Sequence, residues 1–327
     1  MLLRAAAYCI LTFVGFSAAS YTESADAAEA YPVRPVRLIV PYQPGGSTDF
    51  ASRTIQQGLS RTSEIQIVVD NRPGAGTALG TEIAAKSAAD GYTLLLASTP
   101  FSILPTLRKK LPYKPEKDFL AITQIASQPY IIVVPQKSGI TNIKNLIAAA
   151  KAKPGTLTYG SAGTGSGAHL AVEALLMQTD LRMIHVPYKG GGPAVIALMG
   201  NEVDIVLTTI ISALPHHRSG KLRAIGVTSK KRMAIVADIP AVSESGLDLY
   251  EATSWNGILT VAHTPPAIAT RLNREIVAVL KNPDVRALFE KEGAEAVGSS
   301  GAEFETFIKK EISKWSKVVR FAQIPPE

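Results

Sequence analysis

The chain has 327 residues, of which 46% are hydrophobic and 19% charged, and its formal net charge is +7. This length supports two domains with separate cores, and the composition excludes a disordered or fibrous protein. The basic residues are scattered, and aromatic residues make up only 6% of the chain. We therefore expect no nucleic-acid partner and interpret the charge as a mild attraction for anions.

The N-terminal segment has the pattern of an export signal. Arg4 precedes an apolar run over residues 5–16, and small residues within 25–30 form a cleavage pattern. The run is too short to span a bilayer, and no later segment is long and apolar enough to do so. We therefore assign residues 1–27 to a signal peptide and expect a mature protein in the periplasm. Cys9, the only cysteine, lies in the signal, so we expect no disulfide.

From residue 31 onward, β-branched runs alternate with segments of helical apolar spacing, which is typical of parallel α/β units. The predicted strands are 36–40, 65–70, 92–97, 121–126, 130–134, 157–160, 183–186, 203–207, 222–228 and 254–261. The predicted helices are one that opens at Ser47 and others at 77–86, 142–151, 167–178, 193–199, 266–280, 283–292 and 302–321. The proline-containing region 100–119 is predicted to be loop with a short helix.

Two α/β series without a linker, followed by a helical tail, predict two lobes between which the chain crosses twice. We place residues 31–128 and 255–327 in lobe 1 and residues 129–254 in lobe 2. Ligands of open α/β sheets bind outside the carboxyl ends of the strands, so two facing lobes would enclose a cleft.

The first glycine-rich turn joins the first predicted strand to the first helix. Gly45 and Gly46 let the backbone bend, and Ser47, Thr48 and Asp49 are all good N-cap residues. Unpaired N–H groups and the positive end of a helix dipole would suit an anion here. A Pro-Gly-Gly segment can also simply turn the chain, and this segment alone does not decide between the two.

A second glycine-rich turn covers residues 159–169, after the predicted strand 157–160. It formally matches a dinucleotide fingerprint, but it does not open a domain and lacks a well-placed acidic residue. A small carboxylate held by N–H groups and hydroxyls fits better, and a tight turn with polar caps is the alternative. A third turn, 187–193, contains Tyr188, whose hydroxyl could reach a ligand, and Lys189, which is better explained as a solvated charge.

The chain contains no specific catalytic or metal-binding motif. Its five histidines lack metal-site spacing, no serine lies in Gly-x-Ser-x-Gly, and Gly220-Lys221 lacks the rest of a P-loop. We therefore expect neither an enzyme nor a bound metal or cofactor.

Taken together, the motifs resemble those of the Bug (TctC-like) extracytoplasmic solute receptors of tripartite tricarboxylate transport systems. The likeness covers essentially the whole expected mature chain. The segments that carry it are Tyr31–Pro35, Val40–Asp49, Asn71–Gly76, Asp90–Thr93, Leu111–Tyr113, Lys117–Phe119, Tyr159–Ser161, His185–Gly190, Gly220–Ala224 and Gly293–Glu295.

The resemblance implies a type II, flytrap-like periplasmic binding protein of the α/β class, each lobe a mostly parallel sheet flanked by helices. Such a receptor closes on a small carboxylate, acts as a monomer and serves integral-membrane permease subunits. Backbone N–H groups and waters hold one ligand carboxylate in the family. The ligand-binding residues that the resemblance implies are Gly45, Gly46, Ser47, Thr48, Asp49, Ser161, Gly163, Thr164, Gly165, Ser166 and His169. Ser98, Tyr188 and Thr208 are further candidate ligand-binding residues.

Many relatives carry a Phe-Asp-Asn-like triplet where this chain has Leu207-Thr208-Thr209. An acidic residue there would favour a ligand amine or a water network, and without it the distal ligand group is not predicted. The leading hypothesis is a receptor that delivers a carboxylate to a permease. The alternatives are a ligand-sensing partner of a membrane kinase and, with no catalytic constellation to support it, a periplasmic enzyme.

Overall fold

The computed structural model of the protein describes residues 31–326, so the expected signal peptide lies outside the described residues. In chain order the elements are β1 Val36–Val40, α1 Ser47–Thr62, β2 Ile67–Asn71, α2 Ala78–Ala85, β3 Thr93–Ser98, α3 Thr99–Leu107, α4 Pro115–Asp118, β4 Phe119–Pro135, α5 Ile143–Ala152, β5 Thr158–Ser161, α6 Gly167–Thr179, β6 Ile184–Pro187, α7 Gly191–Met199, β7 Ile205–Thr209, α8 Ile210–Arg218, β8 Leu222–Val227, β9 Thr253–Val261, α9 Pro266–Lys281, α10 Pro283–Lys291, β10 Glu295–Ala296 and α11 Gly301–Phe321.

The first sheet has the strand order β2-β1-β3-β9-β4-β10. β1 pairs in parallel with β2 and β3, whereas the pairs β3–β9, β9–β4 and β4–β10 are antiparallel. Side chains alternate between two apolar layers, since Leu94 and Leu96 face one core and Leu95 and Ala97 face the other. Helices α1, α9 and α10 cover the first face, and α2, α3 and α11 cover the second.

The second sheet has the strand order β8-β4-β7-β5-β6. β5 pairs in parallel with β6 and β7, and β4 runs antiparallel to β7 and β8. The predicted α/β architecture with two sheets is therefore present. Both sheets are mixed, so their parallel parts are smaller than predicted, because the crossing strands β4 and β9 run antiparallel to their neighbours.

β4 is one strand of 17 residues, where the sequence predicted two separate runs. Its first part pairs with β9 as far as Pro129, opposite Thr253, and Tyr130 then pairs with Thr209 of β7. Proline has no N–H group to donate to the hydrogen-bond ladder of a sheet. Pro129 does not end the strand, because it lies at the position where β4 changes its pairing partner. β4 thus belongs to both sheets.

Region 100–119, predicted to be loop with a short helix, contains most of the nine-residue helix α3 and the single turn α4. Pro100 lies in the first turn of α3, where a backbone N–H has no helical partner, so the proline is compatible with helix there. The C-terminal helix α11 contributes to both lobes: Phe304 and Ile308 join a core of the first sheet, whereas Trp315 and Val318 join a core of the second.

Candidate functional site

The candidate residues lie where strands end and helices begin. In the first sheet, Gly45 to Asp49 follow β1, and Ser98 ends the adjacent parallel strand β3. In the second sheet, the candidates lie at the ends of β5 and β7 or directly after β5 and β6, and these strands are also parallel neighbours. Because parallel strands end at the same edge of a sheet, the fold gathers these residues into two clusters, one for each sheet.

The first-lobe turn presents backbone donors at the start of α1. Gly46 is the N-cap residue, and Gly45, Gly46 and Ser47 are exposed. Within residues 31–326, no hydrogen bond uses the N–H groups of Ser47, Thr48 or Asp49. These groups, together with the positive end of α1, can receive an anion.

The buried carboxylate of Asp49 stabilises this turn through hydrogen bonds. It accepts hydrogen bonds from Gly45 N (3.0 Å), Arg53 Nε (2.9 Å) and Asn71 Nδ2 (3.1 Å), and the residue is 4% exposed. The hydrogen bond from Arg53 lowers the pKa of Asp49, burial opposes this, and the bonds from Gly45 and Asn71 add to the lowering. Asp49 therefore shapes the turn and stays ionised next to a cation.

The second-lobe turn has its own internal hydrogen bonds. Gly163 N donates to Ser161 Oγ (3.1 Å), and Gly165 N donates to His169 Nδ1 (3.0 Å). Ser166 caps α6 by accepting from His169 N at 3.2 Å. The N–H groups of Gly163 and Gly165 are thus occupied.

Other backbone N–H groups of the second-lobe turn remain available to a ligand. Along the described chain, the N–H groups of Ala162, Thr164, Gly167 and Ala168 have no partner. Thr164 is exposed, whereas Ser161 and His169 are buried. Ser161 and His169 therefore support the turn from below, and Ala162, which the sequence did not single out, becomes a candidate donor.

The beginning of α6 lies against elements of the first lobe. A Cβ on Gly167 would lie 2.2 Å from Tyr130 Oη and 3.7 Å from Thr99 Cγ2, and one on Gly165 would lie 3.0 Å from Leu107 Cδ1. Thr99 is the first residue of α3, so the N-termini of α3 and α6 converge from the two lobes. Glycine at 167 permits this approach because any side chain would meet the Tyr130 hydroxyl.

Two residues near this convergence, Tyr42 and Thr99, were not among the candidates predicted from the sequence. The Tyr42 hydroxyl is hydrogen-bonded to Ser98 Oγ, and burial raises the pKa of Tyr42 to about 12 despite that bond. Thr99 Oγ1 accepts a hydrogen bond from Trp255 N at 3.2 Å. The series Ser98-Thr99-Pro100 combines an N-cap residue with a first-turn proline, and this signal could have identified the start of α3.

In the second lobe, Tyr188 is half-buried and Thr208 is buried. The Tyr188 ring packs on Gly160, and burial together with the nearby Glu202 carboxylate raises the pKa of Tyr188. Thr208 is 3% exposed, and its Oγ1 lies against Gly191 at the start of α7. The Tyr188 side chain thus lies against the second glycine-rich turn and that of Thr208 against the third, and the Tyr188 N–H donates to Ser161 O at 3.1 Å.

A separate groove of about 940 Å³ contains none of the candidate residues. It is lined by the segment after β8, including Lys230 and Lys231, and by α10 and β10, including Arg286 and Ala287. β8 and β10 are edge strands on the far side of β4 from β5 and β1. The groove therefore lies across the crossing strands from the glycine turns.

Comparison with known proteins decides what kind of protein carries this site. Residues 51–323 match the family described as the tripartite tricarboxylate transporter family receptor, TctC. The chain belongs to this receptor family. The resemblance noted from the sequence is thereby confirmed.

Individual relatives of the receptor agree over nearly the whole chain. It is 36% identical over 314 residues to the protein BugT of Bordetella pertussis, covering 95% of this chain and 96% of that protein. A structure from R. palustris with adipate is 31% identical with a TM-score of 0.76, covering 91% of this chain and all of that one. MatC from Rhodopseudomonas palustris with bound malate is 28% identical with a TM-score of 0.70, covering 88% and 100%.

These matches confirm the two-lobed periplasmic-binding-protein fold and identify the chain as a solute-binding receptor rather than an enzyme. Within the described part of the chain, no three His, Cys, Asp or Glu side chains are grouped as metal ligands would be. None of the helices between residues 31 and 326 has the length and apolar character needed to cross a bilayer.

Proposed function

We propose that this receptor captures a small carboxylate between its lobes in the periplasm and delivers it, as a monomer, to integral-membrane permease subunits. One observation carries the proposal: the N-termini of α3 and α6 converge from the two lobes at Thr99 and Gly167, and N–H groups without partners among the described residues lie at Gly167 and at the start of α1, which follows the parallel neighbour of β3. The adipate and malate in the two R. palustris structures support the same ligand class.

Binding of a carboxylate by backbone N–H groups of both lobes also explains why the lobes would close on the ligand. Without a ligand, the positive ends of helices from the two lobes repel each other, and a bridging carboxylate replaces this repulsion with attraction to both sides. The anion therefore binds the closed arrangement better than the open one and shifts the population toward it. Such donors recognise a carboxylate without an arginine, and they do not select the remainder of the ligand.

Native mass spectrometry of the protein as purified, followed by calorimetric titration after unfolding and refolding, tests the ligand class. The panel should cover mono-, di- and tricarboxylates, including malate and adipate. We expect one acid to bind with 1:1 stoichiometry. A stable, folded protein that binds no member of the panel would contradict the proposal.

A single proline substitution that removes one backbone N–H group tests the predicted anion site in the first-lobe turn. Ser47→Pro removes a donor at the first position of α1, where proline fits a helix and where the extended Gly46 (φ −88°, ψ 175°) can precede it. A hydrogen bond to a charged group contributes about 1.5–3 kcal/mol, so affinity should fall about tenfold or more. Ser47→Ala keeps the N–H and is the matched control, for which we expect little change.

A further inference from the structure

A stacked pair of histidines, the buried His169 and the half-buried His185, lies beneath the second-lobe turn. The rings of His169 and His185 stack with centroids 3.8 Å apart and planes inclined by 10°, and the Tyr159 ring stacks on His185 at 4.9 Å. His169 is 4% exposed. Anion capture by backbone N–H groups does not by itself account for imidazoles at this place.

The hydrogen bond from Gly165 N decides which nitrogen of His169 carries a proton. Nδ1 accepts that N–H at 3.0 Å, so it is unprotonated, and the neutral ring carries its hydrogen on Nε2. Nε2 lies 3.8 Å from Glu173 Oε1, and the Tyr159 hydroxyl is hydrogen-bonded to the same oxygen. The ring is therefore held between Gly165 on one side and Glu173 on the other.

His185 supports the other occupied N–H of the turn. Its Nε2 lies 2.7 Å from Ser161 Oγ, which accepts from Gly163 N at 3.1 Å. The stacked imidazoles thus fix Gly165 directly and Gly163 through Ser161.

The fixed Gly165 determines how the turn meets the first lobe. Its φ of +74° is in the left-handed region that favours glycine, and this conformation places it against Leu107 of α3. The intervening N–H group of Thr164 stays unpartnered within the described residues.

We propose that His169, as the neutral tautomer protonated on Nε2 and backed by His185, is the positioning residue that sets the second-lobe turn for anion capture. A protonated imidazole donates from both nitrogens and could not accept the Gly165 N–H, so the turn needs the neutral ring. The consequence for binding rests on the proposed function, whereas the hydrogen bond to Gly165 can be tested without a ligand.

The surroundings of His169 favour its neutral form. Burial and, to a smaller extent, the neighbouring His185 lower the pKa of His169 to about 3. Glu173 of the same helix has a raised pKa because it is buried. Helix α11, which packs against α6, carries the buried Glu311. Its carboxylate accepts a hydrogen bond from Trp315 Nε1 at 2.7 Å and forms an ion pair with Lys314.

The ligand-free test is nitrogen-15 NMR of the imidazoles with amide hydrogen exchange. We expect His169 to be the Nε2–H tautomer and to stay neutral from pH 8 to about 5. In His169→Leu, protection of the Gly165 amide should fall at least about tenfold, and His169→Gln, whose side-chain oxygen can accept, should retain most of it. An Nδ1–H tautomer in the wild type, or unchanged protection in the leucine variant, would overturn the proposal.

The binding test uses malate and adipate as probes on the same variants. We expect His169→Leu to weaken binding about tenfold, His169→Gln to stay within about threefold, and the control His216→Gln, on α8, to match the wild type. Lower thermal stability of His169→Leu with unchanged affinity would mark a merely structural role and overturn the positioning role. If the wild type binds neither acid, the proposed ligand class is in question, and the exchange data still decide the role of His169.

Discussion

At the residue scale, the first-lobe turn depends on an ion pair that faces inward. Asp49 accepts three hydrogen bonds, and Arg53 provides both a donor and a positive charge for its carboxylate. The charge is thereby neutralised before a ligand carboxylate arrives at the neighbouring N–H groups. Asp49 thus contributes geometry to the anion site without repelling the anion.

Asp49→Asn should destabilise the protein, because an amide cannot replace a carboxylate that accepts from three donors. We expect a loss of about 1–3 kcal/mol in the free energy of unfolding at pH 7, measured by urea denaturation. The control is Asp248→Asn at an exposed loop position, for which we expect no measurable change.

The same pair predicts a direction of pH dependence. The pKa of Asp49 is lower in the folded protein than in the unfolded chain. Its stabilising contribution is therefore complete above the unfolded value of about 4 and is lost as pH falls through the lower folded value. The stability difference between wild type and Asp49→Asn should shrink in that acidic range, and a constant difference down to pH 2 would contradict this assignment.

At the element scale, the beginning of α6 is fitted against β4 and α3. Gly167 touches the Tyr130 hydroxyl, and Tyr130 is the residue at which β4 passes from one sheet to the other. The anion turn is thus in direct contact with the crossing strand.

Gly167→Ala should disturb this contact, because the added methyl group would lie 2.2 Å from Tyr130 Oη. We expect a loss of about 1–3 kcal/mol from overpacking, measured by thermal or urea unfolding. Tyr130→Phe removes the oxygen, so the double variant should recover much of the loss relative to Tyr130→Phe alone. Gly192→Ala is the control, because no atom of residues 31–326 lies within 4 Å of the added carbon. Strict additivity of the Gly167→Ala and Tyr130→Phe changes would rule out the contact.

The helix α11 connects the two cores. Its first half, with Phe304 and Ile308, packs on the first sheet, and its second half, with Trp315 and Val318, packs on the second. Ser300 and Glu303 form a capping box that fixes where the helix starts. One amphipathic helix therefore couples the stability of both lobes.

Trp315→Ala should weaken that coupling by removing a side chain that is fully buried in the second core. Losing such an aromatic side chain costs about 3–5 kcal/mol. We expect the second lobe to unfold before the first, so that Trp255 fluorescence and far-UV circular dichroism no longer give coincident urea transitions. Lys310→Ala, on the exposed side of α11, should leave the transitions coincident; coincidence in Trp315→Ala as well would refute the coupling.

At the scale of the whole molecule, the crossing strands divide the space between the lobes. The glycine turns lie on one side of β4 and the groove beside Ala287 on the other. A rotation of the lobes that closes the first side must open the second, as in any hinge. The groove should therefore widen when the receptor closes on its ligand.

Ala287→Trp, which adds bulk inside the groove, should shift the ligand-free receptor toward the closed form. The shift can be measured by electron-spin distance measurements between labels on Gln43→Cys and Lys189→Cys, both exposed beside the turns. The label distance should shorten with a bound carboxylate and, to a smaller extent, in the ligand-free tryptophan variant. Ala234→Ser, also in the groove lining, is the small-residue control, and a longer label distance in Ala287→Trp would contradict the hinge arrangement.

Features that depend on neighbours along the chain could be read from the sequence by itself. The strand at 36–40, the glycine turns after β1 and β5, and the amphipathic tail follow from apolar spacing, N-cap residues and glycines, all of which act within a few residues. The motif order was also enough to indicate the receptor family. The prolines at positions 129 and 100 obscured the continuity of β4 and the length of α3 in the sequence, because the effect of a proline depends on whether its missing N–H would have had a partner.

Only the tertiary structure decided which groups of the two turns remain available to an anion. The candidate residues Asp49, Ser161 and His169 are buried, and they contact Arg53, His185 and Glu173, respectively. Their engagement occupies the N–H groups of Gly45, Gly163 and Gly165 and leaves others without partners among the described residues. Each of these N–H groups is bound by a side chain two to four residues away, but Asn71 and His185, which hold Asp49 and Ser161 in place, are 22 and 24 residues distant. Such distant partners cannot be inferred from local propensity, and for that reason the turns were predictable while their free donors were not.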